Sequence, residues 1–142
     1  MRNASLAALL MLAGASVAMA TDVPLAPDVP LAAEQLVQQQ QTGQAPLLLD
    51  VRHTDEFRDS HIAGALNIPV EELASRAGAL GVPHDREIVV YCVSGRRAAR
   101  AQETLLSLGY THVRQPEGSL NAWRRRQLPL VRESAADPSH PH

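Results

Sequence analysis

Cys92 is the only cysteine among 142 residues, and it stands in Tyr91-Cys92-Val93-Ser94-Gly95-Arg96-Arg97, directly after the apolar run Ile88-Val89-Val90. A thiolate is a strong nucleophile. A thiol at the end of a strand, three residues before a glycine and followed by two arginines, is placed to expose its sulfur to an anion. Gly95 permits backbone angles that a side chain forbids. A loop curling from there into a helix that begins near Arg97 aims several backbone N–H groups at one spot, an anion-binding concavity. The same dipole and the guanidinium groups of Arg96 and Arg97 favour thiolate over thiol. The ordinary alternative is an inert packed cysteine, since cysteine is among the most buried residue types. The glycine and arginine context argues against it, and no second cysteine exists to form an intramolecular disulfide.

The elements that position this loop follow from short apolar runs alternating with helical patterns. Residues 31–41 read as a short helix with Leu31, Leu36 and Val37 on one side, stopped by Gly43. Residues 46–51 form a continuous apolar run ending in Asp50-Val51, as expected of a strand covered on both faces. Thr54-Asp55-Glu56 supplies a cap and an acidic first turn for a short helix through Arg58. Residues 61–68 read as a second extended segment closed by Pro69, and residues 71–79 as a helix ending at Gly81 and Pro83. After the strand at 88–91, residues 97–108 give the clearest helix, with Ala98, Ala101, Leu105 and Leu108 on one face and Gly109 as its stop. A brief strand at 112–114 and a last helix over 119–126, capped by Ser119, complete the domain. This alternation predicts an α/β domain around a mostly parallel sheet, with helices on both faces. In such sheets ligands bind beyond the carboxyl ends of the strands, where Cys92 lies.

The chain opens like a targeting segment: Arg2, an apolar core over 6–17, and the small-x-small pattern Ala18-Met19-Ala20. The apolar stretch is shorter than the roughly 20 residues needed to span a bilayer. Residues 1–20 are therefore expected to be a cleaved signal peptide, with the mature protein periplasmic or secreted. Residues 21–30, rich in proline, form an extended lead-in; 31–131 make one domain; 132–142, polar and carrying Pro138 and Pro141, a disordered tail. The formal net charge of −2 gives no reason to expect nucleic acid, or a membrane after signal cleavage, as a partner. Exported domains commonly pair their cysteines, so a lone thiol is better explained by use than by accident.

With these residues in place the chain resembles a single-domain rhodanese, a thiosulfate sulfurtransferase of the exported type. Asp50-Val51-Arg52, Glu56-Phe57 and His61-Ile62-Ala63-Gly64-Ala65-Leu66-Asn67-Ile68-Pro69 are similar to the family's first block. Residues 91–97 are similar to its active-site loop, and Gly118 with Ala122-Trp123 to its closing motif. The resemblance implies a rhodanese-like domain with a central, mostly parallel five-stranded sheet and no cofactor. It implies a double displacement in which Cys92 takes the outer sulfur of thiosulfate as a persulfide and passes it to cyanide or a thiol. On this reading Val93, Ser94, Gly95, Arg96 and Arg97 cradle the anionic donor, with one arginine turned toward the cleft, and Asp50 and Arg52 hold the loop in shape. The implied partners are a small sulfur donor and a thiophilic acceptor, cyanide or a thiol, with a protein acceptor as the alternative.

Three positions depart from the family pattern. Val93 stands where many relatives carry arginine, Ser60 where glycine usually precedes His-Ile, and Ser119 where the closing pair has its second glycine. Phosphatases and arsenate reductases of this fold use a longer loop, with five residues between cysteine and arginine. Here four residues separate Cys92 from Arg97 and the next position is Ala98, which suits sulfur transfer. A different class of function, a persulfide relay or a binding module serving a protein partner, shares the intact loop. His61 reads as a hydrogen-bonded turn residue and not a general base, and Trp123 as core packing. Arg124-Arg125-Arg126 reads as solvated surface. His140 and His142 lack further ligands for a metal.

Overall fold

In the computed structural model, residues 29–133 are described. The expected signal peptide, most of the lead-in and residues 134–142 of the expected tail, with His140 and His142, lie outside the described residues.

Leu47, Leu48 and Leu49 form an uninterrupted apolar run because both faces of their strand are covered. Strand β1 (Leu47–Asp50) pairs in parallel with β2 (Leu66–Asn67) on one side and β3 (Ile88–Tyr91) on the other. β3 in turn pairs in parallel with β4 (Val113–Arg114), giving the order β2-β1-β3-β4. Side chains alternate between two cores, as the period of a strand requires. Leu49, Ile88, Val90 and Cys92 face a cluster with Leu73, Ala98, Ala101 and Leu105. Leu48, Val89 and Tyr91 face a second cluster with Leu31, Leu36, Ile62, Leu120 and Trp123. The first cluster is closed by α3 (Leu73–Arg76) and α4 (Arg96–Ser107), the second by α1 (Ala33–Gln41) and α5 (Ser119–Arg125). The short α2 (Thr54–Asp59) adds Phe57 to the second cluster.

The sheet has four strands among the described residues, where five were expected. The fifth position is reduced to a one-residue parallel bridge between Leu31 and Pro116 at the β4 edge. Leu31 donates to Gln115 O at 2.8 Å and accepts from Glu117 N at 2.9 Å. The ladder stops at one residue because Ala32 is already the N-cap of α1 on one side, while on the other Val29 O accepts from Arg114 Nε at 3.0 Å.

Other expectations are corrected locally. Only Leu66–Asn67 of the segment 61–68 is a strand, because a turn closed by Ala65 N to Ile62 O intervenes. The helix expected over 71–79 is a short α-turn flanked by 3-10 turns at Val70–Glu72 and Ala77–Leu80. Leu108 leaves the buried face of α4 and is exposed, because the helix ends at Ser107. Ser119 does not cap α5; the N-cap is Gly118, and Ser119 takes up a different task described below.

The chain leaves β1 for β2 on one side and returns to β3 on the other. The boundary between β1 and β3 is therefore the point where strand order reverses, the position at which α/β sheets open a crevice. Asp50 and Tyr91 are register partners at that end. Arg52 and Cys92 follow them directly.

Candidate active site

Cys92 is 1% exposed. The sulfur is not presented on the surface, as the sequence reading expected, but recessed beneath its own loop. Two backbone donors converge on it: Gly95 N–H at 3.0 Å and Ala98 N–H at 3.4 Å from Sγ. Gly95 reaches this position with φ +103°, in the region that favours glycine, and is the N-cap of α4. The expected helix start near Arg97 is thus displaced by one residue, to Arg96. The N–H groups of Val93, Ser94, Arg96 and Arg97 find no acceptor among the described residues. Those of Arg96 and Arg97 belong to the first turn of α4, where unsatisfied donors favour negative charge.

The two arginines separate. Arg97 is held by Glu56 through Nη1–Oε2 and Nη2–Oε1 contacts of 2.8 and 3.1 Å. This bond, more than any other influence, brings the Glu56 carboxyl down from its ordinary 4.5 to about 2, and it likewise raises Arg97 above its usual range. Arg96 is exposed and makes no hydrogen bond or ion pair with the described residues. Arg96 is consequently the uncommitted cation of the loop, and Arg97 a structural one.

Asp50 and Arg52 form a buried pair, 0% and 2% exposed, with Arg52 Nη2 to Asp50 Oδ2 at 2.6 Å and Nε also within reach of the carboxylate. The Arg52 backbone N–H donates to Asp50 Oδ1 at 2.9 Å, and Nη2 reaches Ser60 O at 2.6 Å. Burial works against the charge on Arg52, but the hydrogen bond and charge of Asp50 prevail and raise its pKa. Asn67 Nδ2 donates to the backbone carbonyls of both residues. Tyr91 lies beside them: burial, then the Asp50 charge, push its phenol well above the usual range, and its oxygen accepts Ile62 N–H at 3.1 Å. The strand end next to Cys92 is a rigid polar knot without a direct hydrogen bond to the sulfur.

On the other side, Ser119 Oγ accepts the Cys92 N–H at 3.1 Å, and Leu120 N–H donates to Cys92 O at 3.1 Å. Asn121 N–H donates to Val93 O at 3.0 Å. Gly118 allows this approach, with φ +65° and a hypothetical Cβ only 2.6 Å from Ala122 Cβ. A depression of about 170 Å³ lies against the loop, lined by Ser94, Gly95, Gln102, Gln115, Glu117 and Ser119, among others. His61 is not part of the site: its Nδ1 lies 2.7 Å from Phe57 O and its ring stacks on Phe57 at 3.7 Å. Trp123 is buried, its Nε1 donating to Pro129 O. Two contributors, Glu56 and Ser119, were not recognised as site residues from sequence. Glu56 carried the signal of an acidic residue in a first turn, and Ser119 that of a side chain at a glycine position.

The rhodanese-like domain model matches residues 32–126. The chain is 41% identical over 71 residues to the thiosulfate sulfurtransferase PspE of Escherichia coli, covering 49% of this chain and 67% of that protein. It is 36% identical over 85 residues to a sulfurtransferase of Allochromatium vinosum, covering 60% and 78%. Among solved structures, the human single-domain sulfurtransferase TSTD1 superposes with a TM-score of 0.62 at 32% identity, covering 68% of this chain and 96% of that one. The chain belongs to the rhodanese-like domain family.

Proposed function

We propose that this protein is a sulfurtransferase that carries sulfane sulfur as a Cys92 persulfide. The Sγ of Cys92 attacks the outer sulfur of thiosulfate. The Sγ–S bond forms, the S–S bond of thiosulfate breaks, and sulfite leaves with the bonding pair. Cyanide or a thiol then attacks the terminal sulfur and Cys92 leaves as thiolate. Loop N–H groups stabilise the anionic sulfur through both steps.

One observation carries this reading: two backbone N–H groups already converge on Sγ, in a loop whose four remaining N–H groups have no acceptor among the described residues. The similarity to proteins named as sulfurtransferases supports it. The recessed sulfur favours a small donor over direct docking of a protein one, and with Val93 lending no charge, the dianion is met chiefly by N–H groups and Arg96.

Turnover with thiosulfate and cyanide tests the proposal, with Cys92→Ser as the control. The expectation is thiocyanate formation that the variant abolishes while remaining folded. A variant that keeps its activity contradicts it. A protein that loads sulfur but discharges it only to another protein would instead mark a relay. The Ala18-Met19-Ala20 pattern supports export in addition, and a mature amino terminus at Thr21 in an extracytoplasmic fraction is the matching outcome.

A further inference from the structure

We infer that Ser119 is a positioning residue for Cys92, an inference that rests on the sulfur-transfer reading above. Ser119 has φ +51°, a left-handed conformation in which a Cβ is penalised and glycine is the natural occupant. It follows Gly118, and the family resemblance places a second glycine there. A non-glycine residue persists in such a conformation where its surroundings compensate for it. Here the compensation is visible: the side chain is 3% exposed and its Oγ accepts the Cys92 N–H at 3.1 Å.

The next residue completes a clamp. Leu120 N–H donates to Cys92 O at 3.1 Å, so the peptide groups before and after the nucleophile are held by consecutive residues. Asn121 N–H extends the hold to Val93 O. These residues open α5, which is anchored by Leu120 and Trp123 at 0% and 1% exposure. With both flanking peptides fixed, the Cα–Cβ bond of Cys92 has one direction, from which a single rotamer brings Sγ to the Gly95 and Ala98 N–H groups. Removing the hydroxyl leaves the buried Cys92 N–H without its acceptor and frees that peptide to rotate.

The test separates position from stability with two variants. Ser119→Gly loses the hydroxyl but relieves the backbone, so its unfolding midpoint stays close to wild type while kcat falls roughly tenfold and KM for thiosulfate stays within about twofold. Ser119→Thr keeps the hydroxyl but crowds a left-handed position with a branched side chain; it unfolds more readily yet retains most of the wild-type kcat. A Ser119→Gly protein with wild-type kcat, or activities that simply follow stability across the two variants, would overturn the inference. If the threonine variant does not fold, the glycine variant against wild type decides alone. A wild type that forms no persulfide with thiosulfate contradicts the functional reading and not the role of Ser119. In that event alkylation of Cys92 by iodoacetamide, which needs no sulfur donor, makes the comparison. Ser119→Gly is expected to react at least about threefold more slowly, and equal rates contradict the clamp.

Discussion

Glu56 and Arg97 are 41 positions apart in sequence and meet through two hydrogen bonds of 2.8 and 3.1 Å. The pair fastens α2, which follows the Asp50–Arg52 knot, to the first turn of α4, which follows the Cys92 loop. It also separates the arginines: the one closer to the helix body braces the loop, and Arg96 is exposed with no partner among the described residues. Charge counting along the sequence treats the two as equivalent, whereas the fold does not.

Glu56→Gln should cost about 1–2 kcal/mol, a charge-assisted pair discounted for its partial exposure. The pH dependence has a definite sign. The folded-state carboxyl titrates at about 2, below its ordinary 4.5, so the stabilisation is complete above pH 4.5 and drains as pH falls toward 2. Urea midpoints of wild type and Glu56→Gln are expected to differ near neutrality and to converge in acid. A gap that widens on acidification would contradict the pairing.

Arg52→Met removes one partner of a buried pair and strands the Asp50 carboxylate, at a cost of about 3–5 kcal/mol. The double variant Asp50→Asn with Arg52→Met is expected to recover part of that loss, since no uncompensated charge remains. Chemical denaturation of the two proteins makes the comparison. A double variant less stable than the single one would count against a role in balancing charge.

Gly95→Ala probes the loop with little steric confusion, because a Cβ there would meet only Gln115 Oε1 at 3.6 Å, an ordinary contact. The penalty comes from φ +103° and is about 1–2 kcal/mol. Since Gly95 supplies the closer N–H to Sγ, kcat/KM with thiosulfate is expected to fall at least about tenfold while the circular dichroism spectrum stays native. Unchanged kinetics would mean that the N–H groups around the sulfur do not act in the reaction.

Arg96→Ala is expected to raise KM for thiosulfate roughly threefold to tenfold with little change in kcat, and to flatten the dependence of kcat/KM on salt. Steady-state assays at two ionic strengths measure both. An equal loss in Arg97→Ala accompanied by no loss in Arg96→Ala would reverse the assignment made from the Glu56 pair.

The parts of this account legible in the sequence are those governed by local pattern. The alternating apolar runs mark β1, β3 and α4, and Cys92 followed by Gly95 marks the loop. Long-range pairing was not legible: nothing local to Glu56 says that it meets Arg97, and nothing local to Ser119 says that its hydroxyl faces the Cys92 N–H. The fifth strand failed for a related reason. The extended lead-in was visible, but its pairing with residues 115–117 is limited to one position by the cap of α1 and by the Arg114 side chain on Val29 O. Burial of the sulfur was missed because exposure depends on how the loop closes over it, a property of the Gly95 and Ala98 N–H groups together.

Whether Cys92 carries sulfur is read from the intact mass of the protein after exposure to thiosulfate. The wild-type chain is expected to gain the mass of one sulfur atom, discharged by cyanide and absent from Cys92→Ser. A folded protein with reduced Cys92 that gains no mass under these conditions would contradict it.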